Sequence, residues 1–243
     1  PERENFYPSI WGYGRTNPSQ QLVDAFPMRN GYPIDEAVNY DKKNPYENRD
    51  NRFSLTILFN DATFGSNPKP QIYVGGLDHE STLNQRTSRT GYYLRKFMNP
   101  AVNIIPGTTA STAKHYYVFF RKAELWLNYA EAANEAWGPN ENPLGMSKTS
   151  KVALGELRRR AGISQPDTYL ENTAAAGVDK MRLLIQNERR IELCFENQRF
   201  FDVRRWLLPL DSLNQTIKGV VITKDLETEK FDYAYYDIEQ RNF

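Results

Sequence analysis

The sequence predicts a mainly helical protein in which two helical hairpins stand beside a loop-rich subdomain with a few short strands. Three observations carry this expectation. Over 181–206 and over 117–137 apolar residues recur at helical spacing, and a third such stretch lies at 150–161. Ahead of them, the first hundred or so residues are rich in proline, glycine and asparagine, with apolar runs only a few residues long.

The chain begins with ENFYPSIWGYGRTNPSQ, in which Phe6, Tyr7, Trp11 and Tyr13 alternate with Pro8, Gly12, Gly14 and Pro18. This reads as an irregular loop displaying aromatic rings. A flat ring on a rigid loop suits carbohydrate, because the C–H face of a sugar stacks on it while the hydroxyls seek nearby polar groups. The other reading is that these rings plug a core. Trp11, Tyr13 and Tyr7 are the first ligand-binding candidates, with Tyr73, Tyr92 and Tyr93 behind them.

Asn17 is placed to cap a short helix, with Pro18 at its first and Gln20 at its third position, running through Leu22 and Phe26. Residues 32–52 are polar and carry Asp35, Asp41 and Asp50, but their spacing matches no calcium loop of about twelve residues, so no metal is assigned. Phe53, Leu55, Ile57 and Phe59 alternate with their neighbours in the period of a strand, and a second short strand is expected at 71–74. The segment 77–90 is polar and holds His79. With His115 the only other histidine, zinc ligation lacks a donor set and both read as surface residues. GYYLRKF at 91–97 has an extended pattern.

In the 117–137 helix Val118, Leu125, Tyr129 and Ala136 form one stripe, with Phe120, Ala123, Leu127, Ala130 and Trp137 beside it, which predicts cover on two sides. Glu124, Asn128, Glu131 and Glu135 make an acidic strip that either faces solvent or receives arginines from 181–206. The 150–161 helix turns Leu154, Leu157 and Ala161 inward and ends at Gly162-Ile163 in a Schellman motif. In MRLLIQNERRIELCFENQRFFDVRRW, Glu188 shares the apolar stripe of Met181, Leu184, Ile191 and Phe195. Buried alone, it would cost several kcal/mol or take up a proton, so a cation must lie close, and the segment offers Arg189, Arg190, Arg199, Arg204 and Arg205. Asn197 suits a left-handed corner, after which Phe200, Val203 and Leu207 resume an apolar stripe up to Pro209. A short strand is expected at 220–222, and Tyr233, Tyr235 and Tyr236 lie near the end.

Paired carboxylates and arginines also suit acid–base or phosphate chemistry. Glu188, Glu192 and Glu196, however, are too local on one helix to flank a substrate, and no glycine-rich phosphate loop precedes them. The segment reads as a structural ion-pair network. Cys194, the single cysteine, reads as a buried thiol. Thirty-one basic against thirty acidic residues leave a net charge of +1, which argues against nucleic acid as a partner. No window approaches the roughly eighteen apolar residues of a membrane span, and the N-terminus shows no signal-peptide pattern. No cofactor motif is present.

NERRIELCFENQRFFDVRRW resembles the ERR-x-EL-x-x-E-x-x-RF-x-D-x-RRW signature of the SusD/RagB family, with Asn197 where the family commonly has glycine. NPSQQLVDAFPMRNG and FFRKAELWLNYAEAANEAWGP are similar to two further family segments, the second a helix whose alanines allow tetratricopeptide-like packing. The resemblance implies a mainly α fold with tetratricopeptide-like hairpins. It implies capture of a glycan or oligosaccharide without catalysis, and delivery to a TonB-dependent outer-membrane transporter. Family members are longer, carry a signal peptide and are held at the cell surface by a lipid on an N-terminal cysteine. This chain corresponds to roughly their C-terminal half, which is expected to reach the membrane only through that anchor. We expect residues 1–115 to form the loop-rich subdomain with the ligand-binding part, and residues 116–243 the helical part with an irregular C-terminal segment. A peptide-binding or helical protein-interaction scaffold is the alternative function.

Overall fold

The computed structural model describes residues 1–79 and 87–241, so the polar segment expected at 77–90 lies partly outside the described residues. The fold is mainly helical. Short helices α1 (Glu2–Asn5), α2 (Gln20–Ala25) and α3 (Asn51–Thr56) precede a two-stranded antiparallel sheet of β1 (Ile57–Leu58) and β2 (Tyr93–Leu94), in which Leu58 faces Tyr93. Helices α4 (Lys122–Trp137), α5 (Ser150–Ala161), α6 (Thr168–Ala175) and α7 (Val178–Glu192) follow, then α8 (Arg199–Arg205) and α9 (Leu210–Leu213). A hairpin of β3 (Thr216–Lys224) and β4 (Phe231–Gln240) completes it, with Val220 opposite Tyr235.

Helix α4 packs on both α5 and α7. It presents Ala123, Leu127, Ala130 and Ala133, and its small residues let the backbones approach closely enough for Ser150 Oγ to donate to the Ala130 carbonyl at 2.6 Å. Leu154, Leu157, Leu170, Met181 and Ile185 fill the space between. Thr149 caps α5 and Asp167 caps α6 through their side chains. At the C-terminal end of α5, Gly162 is left-handed (φ 90°) and the Ile163 N–H returns to the Arg158 carbonyl at 3.1 Å, the Schellman closure the sequence predicts. Helix α6 was not among the expected elements.

A second core gathers Phe6, Tyr7, Ile10, Phe64, Ile72 and Tyr93 under the N-terminal loop. A third takes Val23, Phe53 and Tyr92 from one side of residue 115 and Ile191, Val220 and Ile222 from the other, so the C-terminal hairpin packs against the loop-rich part. No helix among the described residues is long and apolar enough to cross a membrane.

Several local expectations need correction. Residues 51–56 are helical: the Asp50 carboxylate accepts the Arg52 N–H at 2.8 Å and starts a helix, and Phe53 and Ile57 are buried at a spacing of four that fits helical as well as strand periodicity. Residues 71–74 form no strand, although Val74 N donates to Ile222 O at 2.8 Å. Asn17 does not cap α2, whose first flanking residue is Ser19. Its side chain donates to the Gly14 carbonyl and accepts from the Arg89 N–H. Helix α4 starts at Lys122 rather than 117, Val118 and Phe120 lie exposed ahead of it, and, of the predicted stripe through Leu125 and Tyr129, Leu125 is exposed while Tyr129 packs on the helical core. Helix α7 stops at Glu192; Phe195 and Asn197 both adopt left-handed backbone (φ 63° and 60°), the second as expected. Of the apolar stripe expected beyond that corner, Val203 is buried, while Phe200 and Leu207 face solvent. The tail around Tyr233 to Tyr236 is a full strand.

Candidate functional site

The N-terminal loop is held from beneath. Phe6, Tyr7 and Ile10 are buried, and Tyr7 donates its hydroxyl to the Pro68 carbonyl. Pro8–Ile10 form a single 3-10 turn that ends at Trp11 in left-handed backbone (φ 69°), its N–H bonded to the Pro8 carbonyl at 2.8 Å. Gly12 lies so close to the Phe6 backbone that a Cβ would stand 1.9 Å from its carbonyl oxygen. The loop is further pinned by Asp78, which is fully buried: it accepts from Ser9 N at 2.8 Å, Ser9 Oγ at 3.0 Å and Gln71 N at 2.9 Å. Burial raises the Asp78 pKa, and these three donors offset part of that rise. Asp78 thereby ties the Trp11 loop to the loop carrying Tyr73.

Of the candidate rings, Trp11 is 47% exposed. Tyr13 is half-buried, with the guanidinium groups of Arg3 and Arg15 5.8 and 5.6 Å from its ring centre. Tyr73 is half-buried against Phe231, ring centres 5.7 Å apart. Tyr7, Tyr92 and Tyr93 are corrected: all three are 0% exposed, Tyr92 donates to Gln20 Oε1 at 2.7 Å inside the third core and Tyr93 to the Asp78 carbonyl at 2.8 Å, so none has a face for a ligand.

Glu188, Arg189, Glu192 and Asp202 of 181–206 are buried within a lattice of ion pairs. Glu188 and Arg158 are both fully buried and bonded to each other. Arg158 also holds Asp167 (Nε to Oδ2, 2.6 Å) and the Gly31 carbonyl (3.1 Å). Glu188 Oε2 lies 2.9 Å from Arg52 Nη2, a charge contact off the hydrogen-bond axis. Arg52 continues to Asp50 at 2.6 Å and Glu192 at 3.1 Å. Glu192 in turn meets Arg121 at 2.6 Å and Arg160, and Glu196 meets Arg121 at 2.8 Å and Lys96 at 2.6 Å. Burial alone would raise the Glu192 pKa, but Arg52, Arg121 and Arg160 outweigh it and hold it at about 2.

None of the five arginines expected beside Glu188 pairs with it. Arg189 and Arg205 converge on Asp202 at 2.7 and 3.0 Å. Arg190 donates to the Gln21 carbonyl at 2.9 Å, Arg199 lies 6.0 Å from the Trp206 ring centre, and Arg204 covers Phe200. Helix α4 does receive arginines along its acidic strip: Glu131 binds Arg205, Asn128 accepts from Arg189 at 2.6 Å, and Glu135 binds Arg182 at 2.6 Å. The true partner of Glu188 was legible in one respect, since Arg158 lies four residues after Leu154 and three before Ala161 on the buried face of α5. Cys194 is buried and donates to the Ile191 carbonyl at 3.0 Å, and burial raises its pKa, so its thiol is structural. Among the described residues no group of three or more histidines, cysteines or carboxylates stands ready for a metal ion.

Hairpins packed through small residues, clamped by buried arginine–carboxylate pairs and faced by aromatic loops, define a tetratricopeptide-like helical scaffold. The SusD family pattern matches residues 3–243, and the chain belongs to that family. It is similar to the crystal structure of a SusD-like protein from Bacteroides fragilis NCTC 9343, with 27% identity, a TM-score of 0.69, and coverage of 99% of this chain and 45% of that one. It is also similar in fold to a SusD-like carbohydrate-binding protein from the same organism, with 22% identity, a TM-score of 0.65, and coverage of 99% of this chain and 46% of that one. The chain thus spans less than half the length of these structures. No curated protein matches it.

Proposed function

We propose that the protein binds a glycan at the cell surface, without chemistry, and passes it to a TonB-dependent outer-membrane transporter, with a lipid anchor elsewhere in the protein holding it to the membrane. The observation that carries the binding part is the contrast between Trp11, half-exposed at the corner of a loop pinned by Asp78, and Glu188 and Glu192 of α7, which are buried among guanidinium groups. Membership of the SusD family supports it, as does a structural neighbour described as carbohydrate-binding. Tyr13 stays beside Trp11 as a first candidate in this reading, and Tyr73 as a secondary one. We take residues 1–115 as the ligand-facing part.

An exposed ring stacked on sugar contributes on the order of 1–2 kcal/mol, so Trp11→Ala in the full-length protein is expected to weaken retention on a polysaccharide column about tenfold. Unchanged retention would remove Trp11 from the site. Retention of peptides in place of every polysaccharide tested would replace the glycan reading by the peptide-binding one.

A further inference from the structure

Away from the Trp11 loop, the start of α4 and the end of α5 enclose an open cleft of about 420 Å³ floored by Trp126. The indole is half-buried, its inner part packed on the helical core. Lys122 and Lys148 bring their ammonium groups to 5.9 and 5.4 Å from the centre of its ring. Arg159 and Arg160 close the other side. Against these four cations the cleft holds one carboxylate, Glu156, which binds Lys148 and is held below its usual pKa first by that bond, with Arg159 and Lys122 adding to it. Arg160 is shared with the buried Glu192, whereas the Arg159 side chain makes no hydrogen bond or salt bridge among the described residues. In a chain that is nearly neutral overall, this excess is local.

We infer that this cleft binds an acidic sugar, a uronate or a sulfated residue, with the sugar's C–H face against Trp126 and its anionic group between Lys122, Lys148 and Arg159. The requirement is chemical. A neutral oligosaccharide would leave Lys122 and Arg159 without a salt-bridge partner, Glu156 being taken by Lys148, while a small inorganic anion would leave the indole unused. A sugar that carries carboxylate or sulfate satisfies both. Because Lys122 and Arg159 are exposed, their contribution falls with ionic strength, whereas the stacking does not. This inference rests on the glycan-binding reading and names a substrate class for it.

The test uses the full-length protein and two matched pairs of polymer: polygalacturonate against its fully methyl-esterified form, and dextran sulfate against dextran. The acidic member of at least one pair is expected to be retained about tenfold more strongly at low salt, and the preference to shrink in salt beyond roughly 0.5 M. The double variant K122Q/R159Q, both positions exposed, is expected to lose that preference with its melting temperature within about 2 °C of the parent. Equal retention within both pairs, or a double variant that keeps the preference, overturns the inference. Where retention is equal within both pairs and Trp11→Ala still weakens it, the glycan reading stands without the acidic specificity. Where no polymer is retained, both fall.

Discussion

Replacing Arg158 by alanine is expected to lower the melting temperature by roughly 10 °C, or to prevent folding. The side chain is fully buried and simultaneously satisfies Asp167, Glu188 and the Gly31 carbonyl, joining α5 to α6, α7 and the turn after α2. Its removal leaves two carboxylates in the interior with fewer cations than charges, and breaking a buried pair in this way costs about 3–5 kcal/mol. For a chain of this length each kcal/mol shifts the midpoint by about 2–4 °C. Arg158→Lys should fall between the two, because a single ammonium cannot reproduce the bidentate grip on Asp167. A thermal melt of Arg158→Ala that coincides with the parent's would show that the lattice contributes nothing to stability.

Acid should unfold the protein through the same lattice. Glu192 titrates at about 2 in the fold against an ordinary value of 4.5. Between those values the unfolded chain binds the proton and the folded one does not, so stability rises with pH there. The contribution is present in full above pH 4.5 and is lost as pH falls towards 2, amounting to roughly 3 kcal/mol at its largest. Urea midpoints measured between pH 6 and 3 should therefore drop steeply for the parent and less steeply for Glu192→Gln, whose neutral side chain has no proton to gain. Parallel slopes for the two proteins would contradict this.

What the sequence revealed follows from how far each signal reaches. Helix α5 was legible because a cap, an apolar period and a terminal glycine agree within a dozen residues. Glu188 was legible as a buried charge because its place in the stripe of α7 is a local property. Its partners were not, since Arg52 is distant in the chain and Arg158 belongs to another helix; the nearer arginines drew attention although α7 and α8 point them elsewhere. Residues 51–59 misled because burial at positions 53 and 57 satisfies two periods at once, and a side-chain cap at Asp50 decided between them. The strand β4 escaped because most of its side chains are exposed, leaving no apolar alternation to read. For the rings, composition alone separates neither Trp11, left outside by its left-handed corner, nor Tyr7 and Tyr92, drawn into the core by hydroxyl partners at Pro68 and Gln20.

The division of labour between clamp and loop is tested most directly by comparing Glu188→Gln with Trp11→Ala in one protein preparation, reading melting temperature and polysaccharide retention for each. Arg158 keeps Asp167 and Arg52 keeps Asp50 when Glu188 loses its charge, so that variant still folds. We expect Glu188→Gln to melt earlier yet hold polysaccharide as the parent does well below its midpoint, and Trp11→Ala to melt normally yet release it. Loss of retention in folded Glu188→Gln, or liberation of reducing sugar by the parent that this substitution abolishes, would move the working site into the lattice and contradict the account.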